Sequence, residues 1–553
     1  MLSYMRGPGA ALSTDTVHEA LLRTAARVPD RDALVVRHQN IRLTYRALLD
    51  EVERTARGLA GLGLRAPDRV GVWSANCAEW VLLQLACARS GLVLVNVNPA
   101  YRSHELSFVL RKSRIRALFL HAADKRGSYR QILEEAQRPS RSPERAGASD
   151  AASAAALPLQ HAVYFGETSW DDMLAAGTDV PPAEFSNEDV VNIQYTSGTT
   201  GSPKGVLLTH RNLVNNGCLI GQRLKMTADD RICVPVPLYH CFGCVIGTMV
   251  AVTSGAAMIL PAPKFDALAT LEAIEAECAT AVYGVPTMFI AELEHPEFSR
   301  FDLRSLRTGM MAGAPCPIEV MRRVTGDMHC HGMTIGYGLT ESSPIVTMSS
   351  VEDSLDLRVS TVGAAMPETE VKIIAPESGE TVPVGGQGEL CTRGYLVMKG
   401  YDEEPEATRK AIDPEDWLHS GDLAVMRRDG CFRITGRAKD MIIRGGENIY
   451  PRDVEEFLYT HPKIADVQVV GLPDARLGES VAAWVRLKTG ESATEEELRD
   501  FCRGKIAHFK IPRRIRLVDE FPMTVTGKIQ KFRIREIEIE RHGLQTAVRT
   551  PTA

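Results

Sequence analysis

The chain has 553 residues, too many for one compact core, so two or more domains are expected. Apolar residues make up 44% and charged residues 24%, with a net charge of −6, which suits a globular protein and excludes the strong basic field of a nucleic-acid binder. Twelve cysteines scattered along so long a chain read as reduced thiols rather than a disulfide framework, and no run approaches the roughly 20 apolar residues of a membrane-spanning helix. The first residues contain no apolar signal region, Asp15 and Glu19 argue against a mitochondrial transit peptide, and the ending RTPTA is not a peroxisomal address. A cytoplasmic enzyme is the expectation, with the mitochondrial matrix as the alternative.

In chain order, helical spacing at 21–27 and 45–62 alternates with short apolar runs at 70–73 and 92–95. Residues 138–156 are rich in Ser, Pro and Ala and read as a surface insert without chemistry. From Asp189 the alternation resumes, with strands at 190–195, 232–236, 256–260 and 280–283 and a helix at 211–224. Such alternation predicts mostly parallel sheet covered by helices. Residues 362–401 carry more Gly, Val and Thr and predict a β-rich subdomain. A smaller α+β unit follows, with helices at 453–460 and 495–506 and strands at 465–471 and 482–487. The polar segment GRAKD at 436–440 marks the junction. The expected fold class is therefore α/β: a large domain, 1–438, of two mixed sheets with helices and a β-rich subdomain, and a small mobile lid, 439–553.

Four segments carry candidate chemistry. YTSGTTGSPKGV at 195–206 follows a strand and precedes a helix, and its glycines, hydroxyls and Lys204 suit a polyphosphate. It is not the G-x-x-x-x-G-K-[ST] loop, since Pro203 stands at the second glycine, and a flexible surface turn is the alternative. YGLTESSP at 337–344 offers the Thr340 hydroxyl and the Glu341 carboxylate, a hard oxygen ligand for Mg²⁺; an exposed loop has the same composition. HSGDL at 419–423 places Asp422 after a glycine, where it can accept ribose hydroxyls or simply turn the chain. PMTVTGKIQK at 522–531 holds Lys528, a charge suited to the junction of an attacking carboxylate and an α-phosphate. The pair Cys241 and Cys244 has C-x-x-C spacing but no second pair, so small packing residues are the better reading than zinc or redox chemistry. The basic runs 111–116 and 510–516 read as solvated faces, the second also suiting the phosphates of a nucleotide-like ligand.

In this order and spacing the motifs resemble the acyl-adenylate-forming superfamily of acyl-CoA synthetases, peptide-synthetase adenylation domains and luciferases, from about residue 15 to 540. PLYHCFG at 237–243, MIIRGGENIYP at 441–451 and TGKIQKF at 526–532 are most similar to the medium-chain acyl-CoA synthetase branch. The resemblance implies that Thr196, Ser197, Gly198, Thr199, Thr200, Gly201, Ser202, Pro203 and Lys204 hold the β- and γ-phosphates of ATP. It places Gly313, Ala314 and Pro315 beside adenine, with Gly336, Tyr337 and Gly338. Thr340 and Glu341 match the α-phosphate and Mg²⁺ positions, Asp422 the ribose position and Arg437 its neighbour. Lys439 falls at the hinge, and Lys528 matches the catalytic lysine of adenylation. Arg444, Gly445 and Gly446 match the segment that meets pantetheine of coenzyme A. The acyl pocket is expected to begin at His240, with Phe242, Met310, Met311 and Val346 serving either pocket or core.

The implied activity is a two-step fatty acid–CoA ligase reaction on a small-molecule carboxylic acid, with medium-chain acids as the expected class and ATP, coenzyme A and Mg²⁺ as cofactors. No nucleic acid or transmembrane segment is expected as part of it, and homo-oligomerisation stays open. One rival is an adenylation enzyme that loads a carrier protein; no carrier-type serine motif follows Lys528, and no Asp lies at 235–245 to meet an amino-acid ammonium. The other is a non-catalytic nucleotide- or acyl-binding protein, against which Lys204, Glu341, Asp422, Arg437 and Lys528 speak together.

Overall fold

Local signals set most of the elements in the computed structural model, which describes residues 1–124, 127–138, 158–181, 184–196, 203–314, 316–437, 440–444, 447–474, 476–524 and 529–544. Apart from Arg138, the expected insert at 138–156 lies outside the described residues. A reciprocal capping box between Thr16 and Glu19 starts the helix Val17–Arg27 about one turn ahead of its apolar spacing. Thr44 caps Tyr45–Gly61 by accepting from the Ala47 N–H. The strand expected at 232–236 stops at Cys233 (Arg231–Cys233), because Pro235 and Pro237 have no N–H to give a ladder. The helix expected at 495–506 ends at Cys502, ahead of Gly504 with φ +70°.

Two mixed sheets form the body. In the seven-stranded sheet the order is Gly400–Tyr401, Lys204–Thr209, Val190–Thr196, Val93–Asn96, Arg69–Trp73, Ala117–Leu120, His161–Tyr164. Pairing is parallel from Val190–Thr196 onward and antiparallel before it. The nine-stranded sheet has a parallel centre, Gly332–Gly338, Thr308–Ala312, Ala281–Gly284, Arg231–Cys233, Ala257–Leu260 and Asp32–Val36, closed by antiparallel strands at both edges. The helix Ala78–Arg89 is apolar all round and buried from Trp80 to Ala88, as a helix sandwiched between layers must be. The buried Tyr45 hydroxyl reaches the carbonyls of Ala251 and Ala256 at 2.7 and 2.8 Å, tying its helix to a neighbouring one.

The β-rich expectation at 362–401 resolves into an antiparallel five-stranded sheet, Tyr4–Arg6, Thr369–Ile374, Gln387–Gly394, Leu418–Met426, Phe432–Arg437, which recruits the first residues of the chain. Downstream, Ile442–Arg444, Glu447–Ile449, Ile464–Asp474, Gly478–Leu487 and Arg514–Leu517 build a separate sheet. It encloses its own apolar core, in which Ile442, Val454, Val467, Val481 and Leu498 are fully buried.

One buried ion pair braces the seven-stranded sheet. Arg69 grips Asp402 with two bonds of 2.8 Å, and the Asp402 N–H donates to Gly205 O at 2.8 Å. The Asp402 side chain is 3% exposed, so an unpaired charge there has no water to fall back on. Arg69→Met, which leaves the Asp402 charge buried and unpaired, is expected to cost about 3 kcal/mol in urea unfolding, and the double variant Arg69→Met, Asp402→Leu to recover most of that loss, because removing both charges leaves none uncompensated.

Candidate active site

The carboxyl ends of the parallel strands of the nine-stranded sheet converge on one region, the usual place for a ligand in an open α/β sheet. Thr308–Ala312 runs parallel to Gly332–Gly338 with Ala312 opposite Gly336, so Gly313 and Ala314 emerge beside Tyr337. Gly313 has φ +85°, a turn that glycine adopts without strain. Gly338 is packed so tightly that a Cβ on it would lie 1.7 Å from the Pro344 carbonyl oxygen. Pro315 lies outside the described residues.

Glu341 follows in a tight turn, Thr340–Ser342, whose Ser342 hydroxyl accepts from the Leu339 N–H at 2.9 Å. The Tyr401 hydroxyl donates to Glu341 Oε1 at 2.9 Å, and the Met398 N–H donates to the Glu341 carbonyl at 2.9 Å. Glu341 Oε2 has no hydrogen-bond partner among the described residues. Burial first, and then the Glu341 carboxylate, hold the Tyr401 phenol far above its ordinary range, so it stays a donor. Lys204 Nζ lies 4.9 Å from the centre of the Tyr401 ring. The first two motifs, far apart in sequence, therefore meet through Tyr401.

The expectation that the first motif runs from strand into helix needs correction. Lys204 opens a strand of its own, Lys204–Thr209, paired antiparallel with Val190–Thr196, and Thr196 stands directly opposite Lys204. The motif is a hairpin, and the helix His210–Arg223 begins only after the second strand. Val206 and Leu208 are buried while Leu207 is half-exposed, an alternation too short to register beside the glycine-rich segment. Ser197, Gly198, Thr199, Thr200, Gly201 and Ser202 lie outside the described residues; Thr196, Pro203 and Lys204 flank them.

His240 approaches the same region from the end of Arg231–Cys233. Its Nδ1 accepts from the Phe242 N–H at 3.2 Å, which assigns the ring proton to Nε2. Cys241 Sγ lies 3.4 Å from His240 Nδ1 and 3.9 Å from Thr340 Oγ1. Burial pushes the Cys241 thiol up to about 12 and the Cys244 thiol higher, and Cys244 Sγ receives the Asn96 and Gln194 amides. Both cysteines are thus packing residues, as their isolated C-x-x-C spacing implied. Phe242, Met310, Met311 and Val346 are all buried, and Phe242 stacks on Tyr283 at 6.0 Å.

Asp422 joins the site from the five-stranded sheet. Its Oδ2 accepts from the Tyr337 hydroxyl at 2.8 Å and its Oδ1 from Arg437 Nε at 2.9 Å. Arg437 is its cross-strand partner, so the sheet register itself sets the ion pair. Burial and then the Asp422 carboxylate hold the Tyr337 phenol well above its ordinary range. Each carboxylate oxygen retains a further lone pair.

Arg444 does not join this cluster: from its strand in the downstream sheet it donates to the Phe509 carbonyl in the turn His508–Lys510. Lys439, Gly445, Gly446 and Lys528 lie outside the described residues. On either side of the undescribed residues, Met523 and Ile529 form an isolated antiparallel bridge and the Gln530 N–H donates to the Pro522 carbonyl at 2.8 Å. Tyr401 and the Arg69–Asp402 pair carry no motif of their own; only the neighbouring glycine and acidic run, KGYDEE, distinguishes them in the sequence.

The arrangement has known counterparts. The AMP-binding enzyme family matches residues 21–402, and the AMP-binding enzyme C-terminal domain matches 453–528. YngI of Bacillus subtilis, which carries the name of an acyl-CoA synthetase, is 48% identical over 97% of this chain and 100% of its own. The mitochondrial medium-chain acyl-CoA ligase ACSF2 of Bos taurus is 45% identical over 98% of this chain and 90% of its own. The crystal structure of the anthranilate CoA ligase AuaEII with anthranoyl-AMP superposes with a TM-score of 0.84 at 27% identity, covering 96% of this chain and 98% of that one.

The two glycines of the Gly332–Gly338 strand that border the site separate experimentally. Gly338→Ala forces backbone against backbone and is expected to cost about 3 kcal/mol in thermal or denaturant unfolding. Gly336→Ala meets only the ends of the Ile345 and Met310 side chains, both at 3.0 Å, and is expected to cost about 1 kcal/mol.

Proposed function

The chain belongs to the AMP-binding enzyme family, and on that premise we propose that it is an AMP-forming acid–CoA ligase whose preferred acids are medium-chain fatty acids. The observation that carries this reading is that Lys204, Glu341, Asp422 and Arg437, drawn from three sheets, are linked through Tyr401 and Tyr337 to the carboxyl end of the strand Gly332–Gly338. The medium-chain preference is supported by the likeness to ACSF2, and a cytoplasmic or matrix location is carried along with it.

The residues fit the groups the reaction needs. Asp422, fixed by Tyr337 and Arg437, offers its remaining lone pairs to the two ribose hydroxyls of ATP, and the positive Arg437 beside it faces the phosphates. Gly313, where an added Cβ would meet only the Val285 side chain at 3.3 Å, leaves the backbone open to adenine. Lys204 and the glycine- and hydroxyl-rich segment 197–202 before it bind the β- and γ-phosphates. Glu341 is a single hard carboxylate with one oxygen not held by a described residue, which suits Mg²⁺, an ion that keeps most of its waters and phosphate ligands. Bound there, Mg²⁺ supplies neutralisation of polyphosphate charge. His240, with its proton on Nε2, and the Thr340 hydroxyl present donors to the substrate carboxylate and the α-phosphate.

The division of labour follows from the chain's two parts. We place the boundary at 438/439, with a lid from 439 that turns about Lys439. In one state Lys528 bridges the attacking carboxylate and the α-phosphate, giving acyl-AMP and pyrophosphate. In the other, 441–450 with Arg444, Gly445 and Gly446 covers the site, and the coenzyme A thiol attacks the acyl carbonyl and releases AMP. Lid motion thereby separates two chemistries that need different groups at one place.

Acid-dependent exchange of pyrophosphate into ATP measures the first half alone. Octanoate is expected to drive it in the wild type, and Lys528→Ala to reduce it at least 100-fold while sparing thioester formation from supplied octanoyl-AMP. Equal loss of both halves removes the assignment of Lys528; absence of exchange with every acid removes the ligase reading.

A further inference from the structure

The five-stranded sheet carries a second constellation that the ligase reaction does not use. Glu389 and Cys391 are two residues apart on Gln387–Gly394 and so share a face, and His419 on Leu418–Met426 is the cross-strand partner of Cys391. His419 Nδ1 lies 3.6 Å from Cys391 Sγ and 3.0 Å from Glu389 Oε2. One ligand atom from each of the three falls within 4.8 Å of the others. A tetrahedral zinc ion, with bonds of about 2.3 Å to sulfur and 2.0–2.1 Å to nitrogen and oxygen, holds its sulfur and nitrogen about 3.6 Å apart and its nitrogen and oxygen about 3.3 Å apart. The two spacings to His419 need shifts of at most a few tenths of an ångström, and the Cys391 and Glu389 ligand atoms lie within 4.8 Å of each other.

The surroundings are those of a metal-binding imidazole. His419 Nε2 lies 3.6 Å from Asp413 Oδ2, the carboxylate placement that orients a ligating histidine. Asp413 is itself fixed by the N–H groups of Glu415 and Trp417 at 2.8 and 3.0 Å. Glu389 Oε1 is held by the Gly421 N–H at 2.9 Å, leaving Oε2 to point at the imidazole. Cys391 is buried against Ile374 and Trp417, while Glu389 and His419 are half-exposed, so the cluster is walled on one side and reachable on the other.

We propose that Glu389, Cys391 and His419 form a binding site for a borderline-soft divalent cation of the zinc class, with Asp413 as the positioning residue for His419 and the fourth position open to water. Thiolate, imidazole and carboxylate together select zinc or cobalt over the hard Mg²⁺ of the ligase site. Binding releases the Cys391 thiol proton and the His419 Nδ1 proton. The ion joins the strand Gln387–Gly394 to the segment His419–Ser420–Gly421–Asp422, and so stiffens the turn that delivers Asp422.

Cobalt titration of the metal-stripped full chain tests this, because tetrahedral thiolate–cobalt has a near-ultraviolet charge-transfer band and intense visible bands. One equivalent of Co²⁺ is expected to saturate both, and one equivalent of Zn²⁺ to abolish them. Cys391→Ser is expected to remove the charge-transfer band, Glu389→Gln and Asp413→Asn to weaken cobalt binding about tenfold, and Cys278→Ser, at an exposed thiol, to change nothing. Circular dichroism identifies any variant that fails to fold. A wild-type protein that gives no such band at stoichiometric cobalt overturns the proposal, as does a band that survives in folded Cys391→Ser or disappears in Cys278→Ser.

Discussion

The Asp422 carboxylate is buried at the seam between two sheets, and the site depends on how that charge is satisfied. One oxygen takes the Tyr337 hydroxyl from the nine-stranded sheet, the other the Arg437 guanidinium from its own strand partner. A buried carboxylate lacking either donor costs several kcal/mol, so the two sheets are held in one relative placement. That placement puts the carboxyl end of Gly332–Gly338 next to the end of Phe432–Arg437. Tyr337, Gly338, Thr340, Glu341 and Arg437 then share one surface. The Tyr401 hydroxyl repeats the device at Glu341, tying the seven-stranded sheet to the same strand end.

Charged residues near the site are thus mostly pre-paired, which keeps their geometry fixed before any ligand arrives. The downstream region is joined differently. Its core is its own, and contacts from it to the body include polar ones: Arg452 to the Ile434 carbonyl at 2.8 Å and Arg486 to Glu294 at 3.5 Å. Lys531 pairs with the buried Glu455, which also accepts from the Val469 N–H, so the chain just after Lys528 is anchored to its own region and not to the body. Polar contacts of this kind are readily exchanged with water, as the proposed lid motion requires.

Much of this was legible in the sequence, for identifiable reasons. The alternation of apolar runs and helical spacing foretold the mixed sheets, because buried parallel strands such as Ala257–Leu260 and Ala281–Gly284 are continuous in apolar character. Asp422 could be named in advance because it follows a glycine in HSGDL, whereas Arg437 was named only through the resemblance that the order of the motifs carries. Lys204–Thr209 was hidden because its strand pattern abuts a glycine-rich turn that reads as loop. Tyr401 and the Arg69–Asp402 pair were hidden because partners separated by 60 and 333 residues leave no local periodicity. Cys391 and His419 were invisible as a pair for the same reason: a strand register brings them together, not a spacing.

The central claim is that the adenylated acid is passed to coenzyme A and that the acid is a medium-chain one. Its most direct test is mass-spectrometric analysis of products from an equimolar mixture of saturated acids of two to sixteen carbons with ATP, Mg²⁺ and coenzyme A. The account predicts acyl-CoA thioesters with a maximum at eight to ten carbons, formed with equimolar AMP and absent when coenzyme A is withheld. Acyl-AMP accumulating with no thioester from any acid would contradict it and point to a carrier protein as the acceptor.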